Sequence, residues 1–433
     1  MSDRYVVIGV AAVRSTWFRE VGRWATSSML PLEFVKAISV DEVRVRLRAG
    51  RGYSALLVDD SLPGLDRDLL ELAVDAGCAV FVVDSGRATT RWRDLGAAAV
   101  LEPGFGRAEL LQALEHSATP ISRRHDGSPT SAAAPTDVGF RGSLVAVTGP
   151  GGTGTSTLAM AIAQGLASDP RDAGLVCLAD LALDGEQAML NGATDVVPGV
   201  VELVDAHRRG GPPIEEVRAL TWHVPARGYH LLLGLRQHRD WTAVRPRTFA
   251  AALEGLRRSF RIVVADVDPD LEGERTTGSL DVEERNAMAR STSTTADLVV
   301  VVGVPGMKGL HSLLRTTRSV LDAGVPGARI LPVLNRAPRS PRARAELTHA
   351  FGALLGADGA GLPAPLQIGE RRHLEETLRD RAPLPVTWAQ SVSDPVRSLL
   401  DRGGAATHVA GDAEPELVAV RPGELGAWAD EDA

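Results

Sequence analysis

Lysine is nearly missing from this chain of 433 residues: Lys36 and Lys308 stand against 45 arginines. A lysine position that had merely been respelled would read as arginine here, so a neutral residue at such a position marks lost charge. Cysteine is as scarce, with Cys78 and Cys177 alone, each beside an apolar strand-like run. That placement reads as two buried thiols rather than a disulfide or a metal site, and it fits a reducing cytoplasm. No stretch approaches the roughly 20 apolar residues needed to cross a bilayer, which excludes membrane insertion. The apolar run Tyr5 to Val13 (YVVIGVAAV) is short, is followed by Arg14, and reads as a first strand rather than a signal peptide. Surplus positive charge is absent too. The net charge is -8, and residues 401–433, with eight acids and two arginines, carry 2 - 8 = -6 of it. The rest of the chain is nearly neutral, so nonspecific nucleic-acid binding is not expected. The histidines show no metal-ligand spacing.

What is present is ample apolar content, 44% of the residues, in a chain long enough for two cores. From Tyr5 to about His116, five short apolar runs (Tyr5 to Val10, Leu32 to Val35, Ala55 to Val58, Ala79 to Val83, Ala98 to Leu101) alternate with five helix-like stretches, the fourth at Thr90 to Leu95. This alternation implies a doubly wound parallel sheet over residues 1–117. Residues 118–140, rich in Ser, Ala, Pro and Thr without periodicity, read as a flexible linker. A second alternating region spans 141–402, with strand candidates Leu144 to Thr148, Leu175 to Ala179, Tyr229 to Leu233, Ile262 to Ala265, Leu298 to Val302 and Ile330 to Leu334. Continuous apolar runs of this kind suit strands covered on both faces. Residues 403–433 read as an acidic, disordered tail. The expected fold class is thus α/β, with two doubly wound parallel-sheet domains.

The chemistry concentrates at Gly149 to Ser156, Gly-Pro-Gly-Gly-Thr-Gly-Thr-Ser, which lies between an apolar strand and a helical run. Strand, glycine loop and helix in this order make a phosphate-binding P-loop. Its glycines let backbone N–H groups turn toward phosphate oxygens at the positive end of the helix, while a hydroxyl serves Mg²⁺. Gly149, Gly151, Gly152, Thr153, Gly154, Thr155, Ser156 and Thr157 are the candidate nucleotide-binding residues. Thr155 stands where the loop's lysine belongs.

Two resemblances add to this. LVDDSLPGLD at Leu57 to Asp66 resembles the response-regulator receiver family, whose phospho-acceptor aspartate matches Asp59. The family's acidic pair after the first strand is replaced by Gly9, Val10, Ala11 and Ala12, and its lysine by Glu102 before Pro103, so a receiver-like fold used for docking is expected. Residues Ser143 to about Arg402 resemble the MinD/ParA class of P-loop ATPases and, within it, the CpaE/TadZ family of Tad (type IVc) pilus-assembly proteins. The carriers are GPGGTGTST, LVCLADLALDGEQAMLNG at Leu175 to Gly192, YHLLLGLRQHRDW at Tyr229 to Trp241, and FRIVVADVDP followed by ADLVVVVGVPG and ILPVLNRAP. The resemblance implies Mg²⁺ held by Ser156, Asp180 and Asp266, and adenine contacted by Asn335. The class lysines fall on Pro150 and Thr155, and its water-positioning aspartate on Ala182, with Asp184 near enough to replace it only if the loop is shifted. Lys308 or an arginine from elsewhere could replace the lost cation. Asp268, Asp270 and Glu272 read as a solvated acidic loop.

The resemblance implies a cytoplasmic scaffold or localisation factor for Tad-type pilus or secretion-system assembly. It implies weak ATP or ADP binding with Mg²⁺, little or no hydrolysis, and no assigned catalytic residue. The implied partners are a secretion ATPase, inner-membrane platform proteins and a second copy of the chain, with recruitment to the inner face of the cytoplasmic membrane. The alternative is an active MinD/ParA-type ATPase working as a nucleotide-dependent positioning switch.

Overall fold

The computed structural model describes residues 4–411 except 14, 28, 87–89, 122–139, 194–197, 209 and 360. Strands β1 (Tyr5–Val10), β2 (Leu32–Lys36), β3 (Ala55–Asp59), β4 (Ala79–Val83) and β5 (Ala99–Leu101) form one parallel sheet in the order β2-β1-β3-β4-β5. Their apolar runs follow from burial on both faces. Helices α1 (Trp17–Thr26) and α4 (Arg107–Ser117) cover one face with Trp17, Val21, Leu110 and Leu114. The other face is covered by α2 (Val40–Arg48) and α3 (Arg67–Asp75), which contribute Val43, Leu47, Leu69 and Leu70. The helix expected at Thr90 to Leu95 is instead a single 3-10 turn, Trp92–Leu95. Its two ends, Trp92 and Leu95, are both buried, and residues three apart share one side of such a turn.

The second sheet holds β6 (Ser143–Thr148), β7 (Val176–Asp180), β8 (Trp222–Val224), β9 (Tyr229–Leu232), β10 (Ile262–Val267), β11 (Leu298–Gly303), β12 (Ile330–Ala337) and β13 (Leu366–Gly369). Their order is β13-β12-β11-β6-β10-β7-β9-β8. All pairs are parallel except β8, which runs antiparallel to β9 at the edge. Every strand read from the sequence is present. The two that were not, β8 and β13, are short edge strands with only partial burial, so neither shows an apolar run. The helices of this region are α5 (Thr155–Ala167), α6 (Gln187–Asn191), α7 (Val200–Arg208), α8 (Ile214–Ala219), α9 (Pro246–Ser259), α10 (Glu274–Thr277), α11 (Leu280–Arg285), α12 (Ala287–Thr295), α13 (Met307–Asp322), α14 (Pro341–Leu355), α15 (Leu374–Arg379) and α16 (Val386–Gly411). One face packs under α5 and α16, the other under α7, α9, α12, α13 and α14.

Helix α16 is pinned by Asp172, a fully buried carboxylate that accepts from Arg397 and lies 3.1 Å from Arg261 Nε. The helix continues to Gly411, so the boundary drawn from composition at residue 403 falls inside it. Residues 403–411 are helical rather than tail; the remainder of that segment, and linker residues 122–139, lie outside the described residues. No helix among the described residues is long and apolar enough to cross a membrane.

The two sheets are joined where α3 meets α9. Asp68 is buried, and its carboxylate accepts from Arg247 N at 3.0 Å and from the buried Thr248 hydroxyl. These groups belong to the first turn of α9, whose Pro246 has no N–H to satisfy. A carboxylate from one sheet thus caps a helix of the other. Arg67 Nε donates to His207 O at 3.2 Å and Arg247 pairs with Asp75 at 2.6 Å, completing the joint.

Candidate functional site

The loop Gly149–Gly154 follows β6, whose neighbours β10 and β11 lie on either side, so it sits where an open α/β sheet places its ligand crevice. Gly154 (φ 85°) opens α5 in the left-handed region, and a Cβ there would stand 2.6 Å from Asn335 Nδ2. A Cβ on Gly149 would collide with Val302 O of β11. Glycine is therefore required at both places by conformation or close approach. Inside the loop, Thr153 Oγ1 donates to Pro150 O at 2.6 Å and lies 3.0 Å from Thr155 Oγ1. The hydroxyl at the lysine position turns back on the loop, in a chain of neutral hydroxyl contacts. Thr157 is half-buried in the first turn of α5.

Asn335 is brought to the loop, but as a brace. Its Nδ2 donates to Thr153 O at 2.9 Å and its Oδ1 accepts from Arg336 N, also at 2.9 Å. Arg336 adopts φ 55°, a conformation unusual for a residue with a Cβ, which lets its N–H turn back to Asn335.

The carboxylates converge beneath the loop. Parallel pairing of β10 with β7 sets Asp266 opposite Asp180, and both are almost wholly buried. Burial, then the neighbouring Asp266, pushes the Asp180 carboxyl up to about 8. Burial likewise lifts Asp266 to about 6, against hydrogen bonds from Gln187 and Ser156 that lower it. Gln187, fully buried at the start of α6, ties the cluster together. Its backbone N–H donates to Asp180 Oδ2 at 3.0 Å, and its Nε2 donates to Asp266 Oδ2 at 2.8 Å and Ser156 O at 3.0 Å. Asp180 Oδ1 is buried without a hydrogen-bond partner.

Ser156, Asp180 and Asp266 thus come together around Gln187. The backbone cradle, the all-oxygen donor set and the orphaned Asp180 Oδ1 fit Mg²⁺ and a nucleotide's phosphates. Gln187 was not foreseen, because a single glutamine in an amphipathic stretch carries no motif. Asp184 does not replace the carboxylate missing at Ala182: it is exposed and lies 3.1 Å from His238 Nδ1. Lys308 is exposed at the start of α13. Asp268 accepts from Leu183 N at 2.7 Å and Asp270 pairs with Arg285 at 2.9 Å. Among the described residues no group of three or more His, Cys, Asp or Glu could hold a metal ion. A cleft of about 1010 Å³ lies elsewhere, against α9, α12 and α13, and none of the candidate residues lines it.

In the first sheet, Asp59 ends β3 with both carboxylate oxygens engaged. Ser15 Oγ donates to Oδ2, while Ser61 N and Oγ donate to Oδ1 at 3.1 and 2.6 Å. Burial raises its carboxyl, but these donors outweigh it and hold the pKa below the ordinary value.

No family model matches the chain, and no curated protein matches it. It is similar to the solved structure of a ParA family ATPase from Chlorobium tepidum TLS, at 16% identity and TM-score 0.44, over 61% of this chain and 98% of that one. It is also similar to the cell division ATPase MinD of Pyrococcus furiosus, at 17% and 0.42, over 60% and 99%. A third is the septum site-determining protein MinD from Pyrococcus horikoshii OT3 complexed with Mg-ADP, at 17% and 0.39, over 62% and 97%. At such identities and TM-scores below 0.5, the likeness carries nothing about activity.

Proposed function

We propose that this chain is a scaffold or positioning factor that keeps a nucleotide-shaped site with little or no hydrolysis. The observation that carries the proposal is that neutral groups fill the places of the cations. Thr155 bonds back to Thr153 inside the loop, and the Gln187 carboxamide sits between Ser156 and Asp266. Phosphoryl transfer depends on positioning and charge neutralisation, and a hydrogen bond to a charged group is worth about 1.5–3 kcal/mol. Without the lysine, triphosphate should bind about ten- to a hundred-fold more weakly, and turnover should suffer more. When Mg²⁺ and ADP or ATP bind, Ser156, Asp180 and Asp266 hold the metal and Gly149–Thr157 the phosphates.

The fully engaged Asp59 supports a docking role for the first sheet over a phosphorylation switch. By the sequence resemblance, the machine served is a Tad-type pilus or secretion system. The partners are then its secretion ATPase, its inner-membrane platform proteins and a second copy of the chain, with recruitment through these partners to the cytoplasmic face of the membrane. The second reading, an active MinD/ParA-type ATPase, is favoured by the retained Asp180 and Asp266. Fluorescent-nucleotide titration with Mg²⁺ alongside phosphate release separates the two. Weak binding without release is expected, whereas sustained release abolished by Asp266→Ala would replace the scaffold with the ATPase.

A further inference from the structure

We propose that Gln187 is a built-in stand-in for the divalent cation, which must be displaced for Mg²⁺ to enter, and that its displacement is passed through a buried hydrogen-bond chain to residues 382–384. The inference rests on the reading of this site as a nucleotide site and adds how that site is regulated. One hydrogen of Gln187 Nε2 is spent on a cation ligand, Asp266 Oδ2, at 2.8 Å, and the other on the main-chain carbonyl of Ser156, the residue whose hydroxyl is the second ligand, at 3.0 Å. A cation drawn to Asp266 and the Ser156 hydroxyl competes with the carboxamide for the same acceptor at close quarters.

Gln187 cannot move alone. Asn191 Nδ2 donates to its backbone carbonyl at 2.9 Å and to its Oε1 at 3.3 Å, while Asn191 Oδ1 accepts from Arg227 Nη1 and Tyr229 OH, both at 2.6 Å. Arg227 is buried without an acidic partner in these contacts. It donates further to Leu190 O and Ala382 O, both at 3.1 Å. Two residues on, Leu384 exchanges two hydrogen bonds with the Gln164 side chain, at 2.8 and 2.9 Å. Gln164 lies in α5, the helix that begins at the P-loop. The chain of contacts therefore leaves α5 at Ser156 and returns to it at Gln164, and it includes the segment that leads into α16. Buried polar chains of this kind rearrange together, because a half-made one leaves donors and acceptors unpaired.

The test compares the unmodified chain with Gln187→Met and Gln187→Ala, using calorimetry of ADP with and without Mg²⁺ and hydrogen exchange at the Ala382 and Leu384 amides, Pro383 between them having none. In both variants the Mg²⁺-dependent gain in ADP affinity should rise about tenfold or more, since a charge-assisted hydrogen bond no longer competes. Exchange at Ala382 and Leu384 should increase on adding Mg²⁺ and ADP to the wild type, and should be high in the variants before any ligand is added. Equal Mg²⁺ dependence in wild type and variants that bind ADP overturns the stand-in alone. No binding by any of them at millimolar ADP removes the nucleotide reading and this inference with it. If both variants misfold, Gln187→Glu decides. A third carboxylate beside Asp180 and Asp266 should make its Tm rise with Mg²⁺ more than that of the wild type, and no such rise overturns the proposal.

Discussion

Restoring a lysine at position 155 should strengthen nucleotide binding and weaken the ligand-free fold. Thr155 is the first residue of α5, and its hydroxyl lies 3.0 Å from Thr153 Oγ1, which itself donates to Pro150 O at 2.6 Å. Thr155→Lys deletes one hydroxyl contact, worth about 0.5–1.5 kcal/mol. It also places a cation at the positive end of a helix, at a cost of about 0.3–1 kcal/mol. The ligand-free protein should therefore lose about 1–2.5 kcal/mol, a fall in Tm of about 2–10 °C at the 2–4 °C per kcal/mol typical of a unit of 150–250 residues. With Mg²⁺ and ADP present, the same ammonium gains a charge-assisted bond to phosphate worth about 1.5–3 kcal/mol. At about 1.4 kcal/mol per decade, that is a ten- to hundred-fold tighter Kd by calorimetry. Thr155→Met is the control: it loses the hydroxyl contact without gaining charge, so its stability should fall with no gain in affinity. If Thr155→Lys lowers Tm but leaves ADP binding unchanged, phosphate does not reach position 155. The glycine loop is then a packing turn.

Stability should fall as pH rises from about 5 to 8. Asp180 and Asp266 titrate at about 8 and about 6 in the fold, above an ordinary value of 3.8. The folded state therefore holds more protons than the unfolded chain in this window, and each such group costs up to about 1.4 kcal/mol per pH unit until its folded pKa is passed. Urea unfolding at pH 5.5, 6.5 and 7.5 reads the slope, and Asp180→Asn should flatten it; an unchanged slope in that variant contradicts the assignment. Asp68→Ala removes the cap that α3 gives α9, and should cost about 1–3 kcal/mol and split the calorimetric unfolding into two transitions; a single unshifted transition would show that the joint contributes nothing. Burial pushes both Cys78 and Cys177 up to about 12, so neither should react with iodoacetamide at pH 8 until urea is added.

The strands that position the site were legible because each is buried on both faces. Leu298–Gly303 and Ile262–Val267 could only be continuous apolar runs, and a run needs no partner to be seen. Residues at strand ends were legible for the same reason, since fixing β10 beside β7 fixes Asp266 opposite Asp180. What the sequence hid are side chains whose role depends on contacts far along the chain. Asp68 caps a helix 180 residues away, and Gln187 reaches Asp266 across 79. Asn335, matched in the sequence to an adenine-contacting asparagine, gave no hint of the bond its amide makes to Thr153 O.

The substitutions in the site gain coherence when charge is counted across it rather than residue by residue. Two carboxylates buried this deeply cannot both ionise unaided, because burial and mutual repulsion each favour the protonated form. An active ATPase offsets that cost with a lysine and a metal. Here, with Thr155 at the lysine position, the available compensation is protonation of Asp180 together with the Gln187 donors to both acids. The fold thus remains viable without a ligand. If Mg²⁺ and nucleotide bind as proposed, the ion would have to displace a proton from Asp180 as well as the carboxamide from Asp266. Any nucleotide response should therefore be stronger at pH 8 than at pH 6, the reverse of the protein's own stability, and a response that weakens with rising pH would contradict this coupling.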